Sequence, residues 1–517
     1  MQGIKKFFLN ASLMSIVSVF LRIVGVWFSV YISAKIGEEG MGVYGLASSV
    51  YRLGITFASS GIGFAATRII AEEIAKKNHR EALRAAEKCI LFSFVLGAVT
   101  SLFFFSFSGI IGDVFLNDTR CIASIKVMSI SLPFLVMSSV INAYFTGVRH
   151  LSKPAISMLF EQGVRVFVTM MLLNNFDGEN LEYGCFAVVV GGVIAEIVSF
   201  LLSYFFYIRD KKCLEKGKGQ KTPIFRRVSA IALPVAVSSY IRSGLLTIEH
   251  MMIPSGLRRW GADPSRALSI YGIISGMVFP ILFFPSSFLY AASDLIVPEF
   301  AACRASGNKR LITKLTDKVM QLTSFFSIGT AAVLFGFSHE LGTVLYDSAE
   351  VGIYLKSLAP LVIVMFYDHL ADAILKGLDC QVDVVKYNII DSVVSVLLVW
   401  YLVPKFGIAG YIFVVWFGEV LNCIMSTVSL IKTTCTKIRP FNSFILPIIC
   451  AVCSIVITRF GFVFLHGGVG QNGISLTVAI ATCILVYSVL MRCAGCITIW
   501  DYKNLVKLVK KEKAVTK

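Results

Sequence analysis

Charge is scarce in this chain. Only 15% of its 517 residues are Asp, Glu, Lys or Arg, and 56% are hydrophobic, whereas soluble proteins average about 25% charged residues. An ordinary soluble fold is excluded. Long polar segments are also missing, since the stretches between apolar runs are about 20 residues or shorter. No soluble domain is therefore expected on either side of a membrane, nor an enzyme built around a large extramembrane catalytic loop. Cysteine and histidine form no arrangement suited to nucleophilic catalysis. The thirteen cysteines are mostly scattered through apolar runs, and only Cys450/Cys453 and Cys493/Cys496 have Cys-x-x-Cys spacing. Four thiolates could hold zinc. The first pair, however, falls inside an apolar helix and the second at a helix end, so they read as small membrane residues. No metal or cofactor is expected. A cleavable leader is not expected either. The apolar run that follows "MQGIKKFFLN" continues to about Ala34, beyond the roughly 7–15 residues of a signal core.

What is present is length of apolar sequence. Runs of roughly 20 apolar residues, enough to cross a bilayer as a helix, recur from end to end. Apolar runs bounded by charge, glycine and proline predict an all-α polytopic membrane protein of about fourteen spans: 7–34, 41–68, 89–110, 122–147, 154–174, 183–207, 227–253, 267–297, 318–338, 351–375, 386–404, 409–431, 442–465 and 473–495. The net charge of +17 is distributed by topology. Arg68, Lys76, Lys77, Arg80, Arg84 and Lys88 follow the second span; "IRDKKCLEKGKGQKTPIFRR" carries eight Lys/Arg; and the tail from Asp501 carries six lysines. "NNFDGENLEY", "SHELGTVLYDSAE" and "HGGVGQNG" carry none. Positive loops face the cytoplasm, so both termini are expected inside, in a cell membrane. "GLRRWGADPSR", with three arginines, runs against this bias. Anionic lipid headgroups are expected partners of the basic loops and of a basic amphipathic tail, and nucleic acid is not needed to explain the charge.

The sequence also repeats. At an offset of 227, Tyr44-Gly45 meets Tyr271-Gly272, Ser59-Ser60 meets Ser286-Ser287, and Glu72 meets Glu299. Arg22 meets Arg242 at 220, while Lys126 meets Lys356, Gly147 meets Gly377 and Glu161 meets Asp391 at 230. A six-helix unit used twice is implied, and an even number makes the repeat parallel. The expected divisions are an N-terminal lobe over 1–207, a basic linker over 208–226, a C-terminal lobe over 227–431, two extra helices within 432–495 and a basic tail over 496–517. Two lobes facing a midplane cavity suit alternating access.

Charges inside spans cost roughly 2.5–3.5 kcal/mol at the bilayer centre on insertion scales and require a reason. Ser15, Ser18, Arg22, Gly25 and Ser29 share one face of the first span. Ser48, Arg52, Thr56, Ser59 and Gly63 do so on the second, and Ser238, Arg242 and Glu249 on the seventh. These faces are expected to line a hydrated cavity with Ser18, Arg22, Ser48, Arg52, Arg242 and Glu249 as substrate contacts, because arginine forks match phosphate oxygens. In the plainer reading, the arginines are ion-pair members with Glu196, Glu249 or Glu419 as partners. Glu161 and Arg165, four apart, are expected to form a structural pair. Asp368 and Asp372 flank His369 at the cytoplasmic end of the tenth span, where solvation would be easy, and could bind a coupling H+ or Na+. Pro234, Pro280 and Pro285 interrupt spans seven and eight as kinks, static or gating.

"RIVGVWFSVYISAKIGEEGMGVYGLASSVYRL" (22–53) and "FTGVRHLSKPAISMLFEQGVRV" (145–166) resemble the stage V sporulation protein B family of the multidrug/oligosaccharidyl-lipid/polysaccharide exporter (MOP) superfamily. The likeness extends over essentially the whole chain, and Ile36-Gly37-Glu38-Glu39-Gly40 with Tyr44 is its most specific part. It implies a flippase that carries an undecaprenyl-pyrophosphate-linked sugar from the inner to the outer leaflet for peptidoglycan or polysaccharide assembly, with no covalent chemistry. Arg22 and Arg52 match the membrane arginines that the lipid II flippase branch sets against pyrophosphate. The eighth-helix arginine of that branch is missing from "YGIISGMVFP". The other expectations are a cation-coupled multidrug exporter of the same fold and a non-transporting scaffold in wall or spore-cortex synthesis.

Overall fold

The computed structural model describes residues 2–59, 61–76, 78–174, 180–214, 224–436, 441–466 and 473–495. Most of the 208–226 linker, the 496–517 tail, Cys496 and the 467–472 loop lie outside them. Every regular element among the described residues is helical. The chain divides into two compact units, Met1–Ala291 with Asn388–Gly418, and Ala292–Tyr387 with Glu419–Lys517.

The first unit contains α1 (Gln2–Ser59), α2 (Ile62–Ala75), α3 (His79–Ser106), α4 (Cys121–Gly147), α5 (Ser152–Leu173), α6 (Leu181–Leu214), α7 (Ile224–Trp260), α8 (Pro264–Gly272) and α9 (Phe279–Phe283). At 58 residues, α1 would be about 87 Å long if straight, far more than the ~30 Å hydrocarbon core. It folds back at Gly37, whose φ of 70° is accessible to glycine without a Cβ clash. Gly407 (φ 58°) does the same in α15 (Gln381–Thr434). A Cβ there would also lie 2.4 Å from the Trp260 ring, so the turn is held by packing as well as by φ. The core of this unit joins α2 through Ile62, Ile69 and Ile70 to α4 through Ile141, Tyr144 and Phe145, and to α7 through Val228 and Ala232. Arg258, in the loop that ran against the charge bias, donates to the Asn117 carbonyl at 3.2 Å. Its presence there has a structural reason independent of topology.

α10 (Ser286–Ala305) leads into the second unit, which adds α11 (Lys309–Gly336), α12 (Ser338–Tyr346), α13 (Ala349–Leu358), α14 (Leu361–Gly377), α16 (Leu446–His466) and α17 (Gly473–Cys493). The last two pack on α11. Tyr487 donates to the Phe325 carbonyl at 3.0 Å, and Arg459 pairs with Glu340 at 2.9 Å.

Among the described residues, eleven helices are long and apolar enough to cross a membrane, and the bent pair Ala349–Leu358 and Leu361–Gly377 makes a twelfth. With α1 and α15 each counted as two spans at their glycine folds, the number reaches the fourteen read from the sequence. Three spans differ from expectation. The second, expected over 41–68, breaks between Ser59 and Ile62, with Gly61 at φ 75°. The eighth, expected over 267–297, contains a π-helical turn at Ile273–Val278 and breaks at Phe284–Pro285, where proline removes a donor from the ladder. The tenth is bent by 52°. Pro234, expected as an interruption, sits within continuous α7.

The duplication is visible in the backbone. Asn117 (φ 51°) and Asp347 (φ 50°) occupy the left-handed region 230 positions apart, as do Arg149 (φ 62°) and Asp379 (φ 64°). Asp118 N–H donates to Gly112 and Ser348 N–H to Gly342; His150 donates to Phe145 and Cys380 to Leu375. All fall at the 230 offset at which Gly147 met Gly377. Three of the four left-handed positions are Asn or Asp, which tolerate that region best after glycine.

Candidate functional site

Within the first unit lies a cavity of about 1170 Å³. α1 supplies two walls because it folds back at Gly37. Ser18, Arg22, Gly25 and Ser29 line it from the first limb, and Ser49, Arg52, Thr56 and Ser59 from the second. α7 supplies Ser239, Arg242, Ser243, Leu246, Thr247 and His250. The irregular eighth span closes it with Ser275, Phe279, Pro280 and Phe283. Nine lining residues carry hydroxyls, three are arginines and none is a carboxylate.

The helix breaks explain how Arg22 is held. The interruption at Phe284–Pro285 frees the Phe283 carbonyl from the ladder, and Arg22 Nη2 donates to it at 3.1 Å and to Ser286 Oγ at 3.3 Å. Similarly, Ser29 donates to the Gly276 carbonyl inside the π-helical turn at 2.9 Å. Irregular backbone at membrane depth is tolerated where it lines a cavity. Arg52 and Arg242 are exposed to the cavity space. Among the described residues, neither makes a side-chain hydrogen bond or a close ion pair. Beyond the last lining residues α1 and α8 touch backbone to backbone: a Cβ on Gly272 would lie 2.1 Å from the Glu38 carbonyl and 2.5 Å from Gly42 N. The adjoining link carries an ionic cluster, with Arg120 bound to Glu39 at 2.8 Å and to Asp118 at 2.7 Å. Ser265 donates to Glu39 at 2.5 Å. Burial by itself would raise the Glu39 carboxyl, but the Ser265 and Arg120 hydrogen bonds and the Arg120 charge hold it below its ordinary range.

The structure brings Ser18, Arg22, Arg52, Arg242 and Pro280 to one cavity. Pro285 lies just past it, at the break. Two expected contacts are corrected. Ser48 is off the wall, its buried hydroxyl without a hydrogen-bond partner among the described residues, and Ser49 takes the place. Glu249 does not line the cavity either; its carboxylate lies within electrostatic reach of Asp391, which in turn interacts with Arg242. Arg52, Thr56, Ser59 and Arg242 lie on the wall as expected, while Ser49, Ser239 and His250 line it in place of their neighbours Ser48, Ser238 and Glu249. Glu196, a candidate partner of Arg22, instead accepts from Tyr51, whose hydroxyl also meets Ser131 at 2.6 Å, and lies 3.8 Å from Arg165. Glu161 and Arg165 pair at 2.9 Å.

Asp368 and Asp372 are not readily solvated as expected. They are 7% and 8% exposed, and accept hydrogen bonds from Asn422 and Ser426, each at 2.9 Å. Two consecutive turns of α14 are thereby matched to two of α15 within the second unit. Among the described residues, no group of three or more His, Cys, Asp and Glu is placed to hold a metal ion. His250, Thr247, Ser243 and Tyr271, which supports His250 from behind, were missed from the sequence. The signal was the spacing Ser239, Arg242, Ser243, Leu246, Thr247, His250, a continuous face at three- and four-residue steps.

Residues 8–292 match the family described as polysaccharide biosynthesis protein. Stage V sporulation protein B of Bacillus subtilis (strain 168) is 25% identical over 470 residues, 88% of this chain and 90% of that protein. Lipid II flippase MurJ of the same organism is 20% identical over 410 residues, 73% of each. Among solved structures, lipid II flippase MurJ in an inward closed conformation has a TM-score of 0.67 at 14% identity, covering 95% of this chain and 99% of its own. An inward-facing multidrug resistance MATE family transporter of the MOP superfamily has a TM-score of 0.62 at 14% identity, covering 81% and 97%. At such identities the structural likeness is one of fold. The chain, a multi-pass membrane transporter rather than an enzyme, belongs to the polysaccharide biosynthesis protein family of the MOP flippase superfamily.

Proposed function

We propose that this protein translocates an undecaprenyl-pyrophosphate-linked sugar from the inner to the outer leaflet by alternating access. One observation carries the reading: a cavity of about 1170 Å³ presents three arginines and nine hydroxyls with no carboxylate on its walls. Guanidinium groups with no carboxylate beside them on the walls of a partly desolvated space attract an anion, and their planar forks suit phosphate oxygens. Arg22, Arg52 and Arg242 hold the pyrophosphate, Ser18 and the other hydroxyls bind its oxygens or the sugar, and the lipid tail remains in the bilayer. The family's description and the name of the lipid II flippase relative support the same class of substrate. A multidrug exporter of organic cations would need acidic groups where these walls have arginines.

Liposomes reconstituted with the purified chain provide the test. A fluorescent undecaprenyl-pyrophosphate-linked sugar should become accessible to an impermeant quencher on the opposite leaflet, and Arg52→Ala should abolish this. Comparison with and without an imposed H+ or Na+ gradient identifies the coupling ion, for which Asp368 and Asp372 are the candidates. Efflux of a cationic dye without movement of the lipid-linked sugar would overturn the proposal in favour of drug export. Movement of neither, by a folded protein, would favour the scaffold role.

A further inference from the structure

His250 differs in kind from the rest of the cavity wall, where the other side chains are arginines, hydroxyls or apolar groups. Its Nδ1 lies 3.0 Å from the hydroxyl of Tyr271. Tyr271 is fully buried, and Nδ1 is the nearest hydrogen-bond partner of its hydroxyl among the described residues, the Ser275 side chain interacting with it more weakly. The nearby Ser275 hydroxyl is committed to the Tyr271 backbone carbonyl at 2.6 Å. A buried O–H with no acceptor carries a desolvation penalty, so the phenol proton is directed to Nδ1. In a neutral imidazole, the hydrogen must then reside on Nε2. Nε2 has no protein partner among the described residues and is not sealed from solvent, while the ring lines the cavity within electrostatic reach of Arg52.

We propose that His250 is a further binding residue for the pyrophosphate, donating from Nε2–H as a neutral complement to the three arginines, and that Tyr271 is the positioning residue that fixes this tautomer. The inference rests on the anionic substrate proposed above. A neutral donor supplies a hydrogen bond to the phosphate without adding repulsion to a site that already holds three positive charges. Gly45 completes the arrangement from α1: a Cβ there would lie 3.1 Å from the Tyr271 ring and 3.4 Å from Ser275 Oγ, so the bare backbone presses the ring into place.

A pair of substitutions separates this role from a purely structural one. His250→Asn leaves an amide near the Nδ1 position, able to satisfy Tyr271, but has no donor at the position of Nε2. His250→Gln places its amide further out and keeps that donor. The full-length protein in nanodiscs, titrated calorimetrically with farnesyl pyrophosphate, should bind it. Loss of one hydrogen bond to a charged group should make His250→Asn roughly 10- to 100-fold weaker, with His250→Gln within about 3-fold of wild type. Tyr271→Phe should weaken binding about 2- to 10-fold, the value of one neutral hydrogen bond. The ¹⁵N spectrum of labelled histidine, assigned by difference with His250→Gln, should give an Nε2-protonated ring in wild type and a tautomer mixture in Tyr271→Phe. Wild-type affinity in His250→Asn, alongside loss of binding in Arg52→Ala, would refute His250 as a ligand while leaving the anion site intact. An Nδ1-protonated ring would refute the positioning by Tyr271. No binding of the probe by wild type would overturn the anionic substrate and this inference with it.

Discussion

Replacing Arg22 with alanine separates a substrate contact from a buried ion-pair member, and the surroundings of the side chain set the magnitudes. Its fork donates to a carbonyl and a hydroxyl, Phe283 O at 3.1 Å and Ser286 Oγ at 3.3 Å, rather than to an acid. Both come from one nitrogen of a half-buried side chain, so together they contribute about what one charge-assisted hydrogen bond does, roughly 1.5–3 kcal/mol. The substitution leaves no carboxylate stranded, because Glu196 is already engaged by Tyr51 and lies near Arg165. Ser286 itself donates to the Phe283 carbonyl at 2.6 Å and remains to satisfy it. Arg22→Ala should therefore stay folded and lose only a few degrees of melting temperature. Breaking a buried pair would instead cost about 3–5 kcal/mol. Translocation should fall by roughly 10- to 150-fold, the value of a charge-assisted contact to phosphate. Arg22→Lys, which restores the charge without the fork, should be partly active. Melting and translocation of a lipid-linked sugar, measured on the same preparations, check both halves. A folded Arg22→Ala protein that translocates at the wild-type rate would refute the substrate role. A severe loss of stability rescued by Glu196→Gln would refute the pairing on which the magnitude rests.

Gly272→Ala places a Cβ 2.1 Å from the Glu38 carbonyl. Because backbone rather than a side chain stands in the way, the overpacking penalty is expected at the upper end of about 1–3 kcal/mol, visible as a lowered melting temperature. The Glu39 carboxyl is held below its ordinary range; a depressed folded value contributes stability above the unfolded pKa and loses it as pH falls through the folded one. The melting-temperature gap between wild type and Glu39→Gln should accordingly stay constant from pH 8 to about 5 and shrink at lower pH, and a gap that widens on acidification would contradict the cluster. For topology, single cysteines at Gly217 and Gly467, in a background without competing thiols, should label differently with an impermeant reagent. Only position 467 should react from outside intact cells, and the reverse pattern would invert the orientation.

The membrane class and the number of spans were legible because both depend on composition over windows of about 20 residues, where individual side chains average out. The arginines were legible for the opposite reason: a charge inside an apolar run needs a partner or water, so Arg22, Arg52 and Arg242 could be assigned to one polar space before any coordinates. Helical phase was the weak point. Successive residues are separated by about 100° around a helix, so choosing Ser48 over Ser49, or anchoring the α7 stripe on Glu249 rather than His250, turns the inferred face by one position. The more strongly charged residue was the misleading guide on α7: Glu249 does not line the cavity and lies within reach of another carboxylate, Asp391, and it is Asp391 that interacts with Arg242. Solvation of Asp368 and Asp372 was misjudged for a related reason. Nearness to the end of a span does not expose a side chain when the next helix carries Asn422 and Ser426 at matching spacing.

The breaks in the eighth span bind these observations together. A continuous helix over 267–297 would satisfy its own carbonyls and offer nothing to the first span. Pro280 has no N–H to offer the Gly276 carbonyl four residues before it, the Phe284–Pro285 interruption frees that of Phe283, and both accept hydrogen bonds from α1, through Ser29 and Arg22. Each freed group would be costly against lipid, so its position is fixed to the polar cavity. The irregular backbone and the polar stripe thus require one another. For Arg22 to turn toward an anion it must release the Phe283 carbonyl, and Ser286 Oγ, already 2.6 Å away, keeps that carbonyl hydrogen-bonded when it does. Ser286→Ala removes the long 3.3 Å acceptor of Arg22 but also the 2.6 Å donor to the carbonyl, so on balance it should make release of Arg22 costlier, and translocation slower at saturating substrate. If Ser286→Ala translocates at the wild-type rate, the carbonyl does not depend on this exchange.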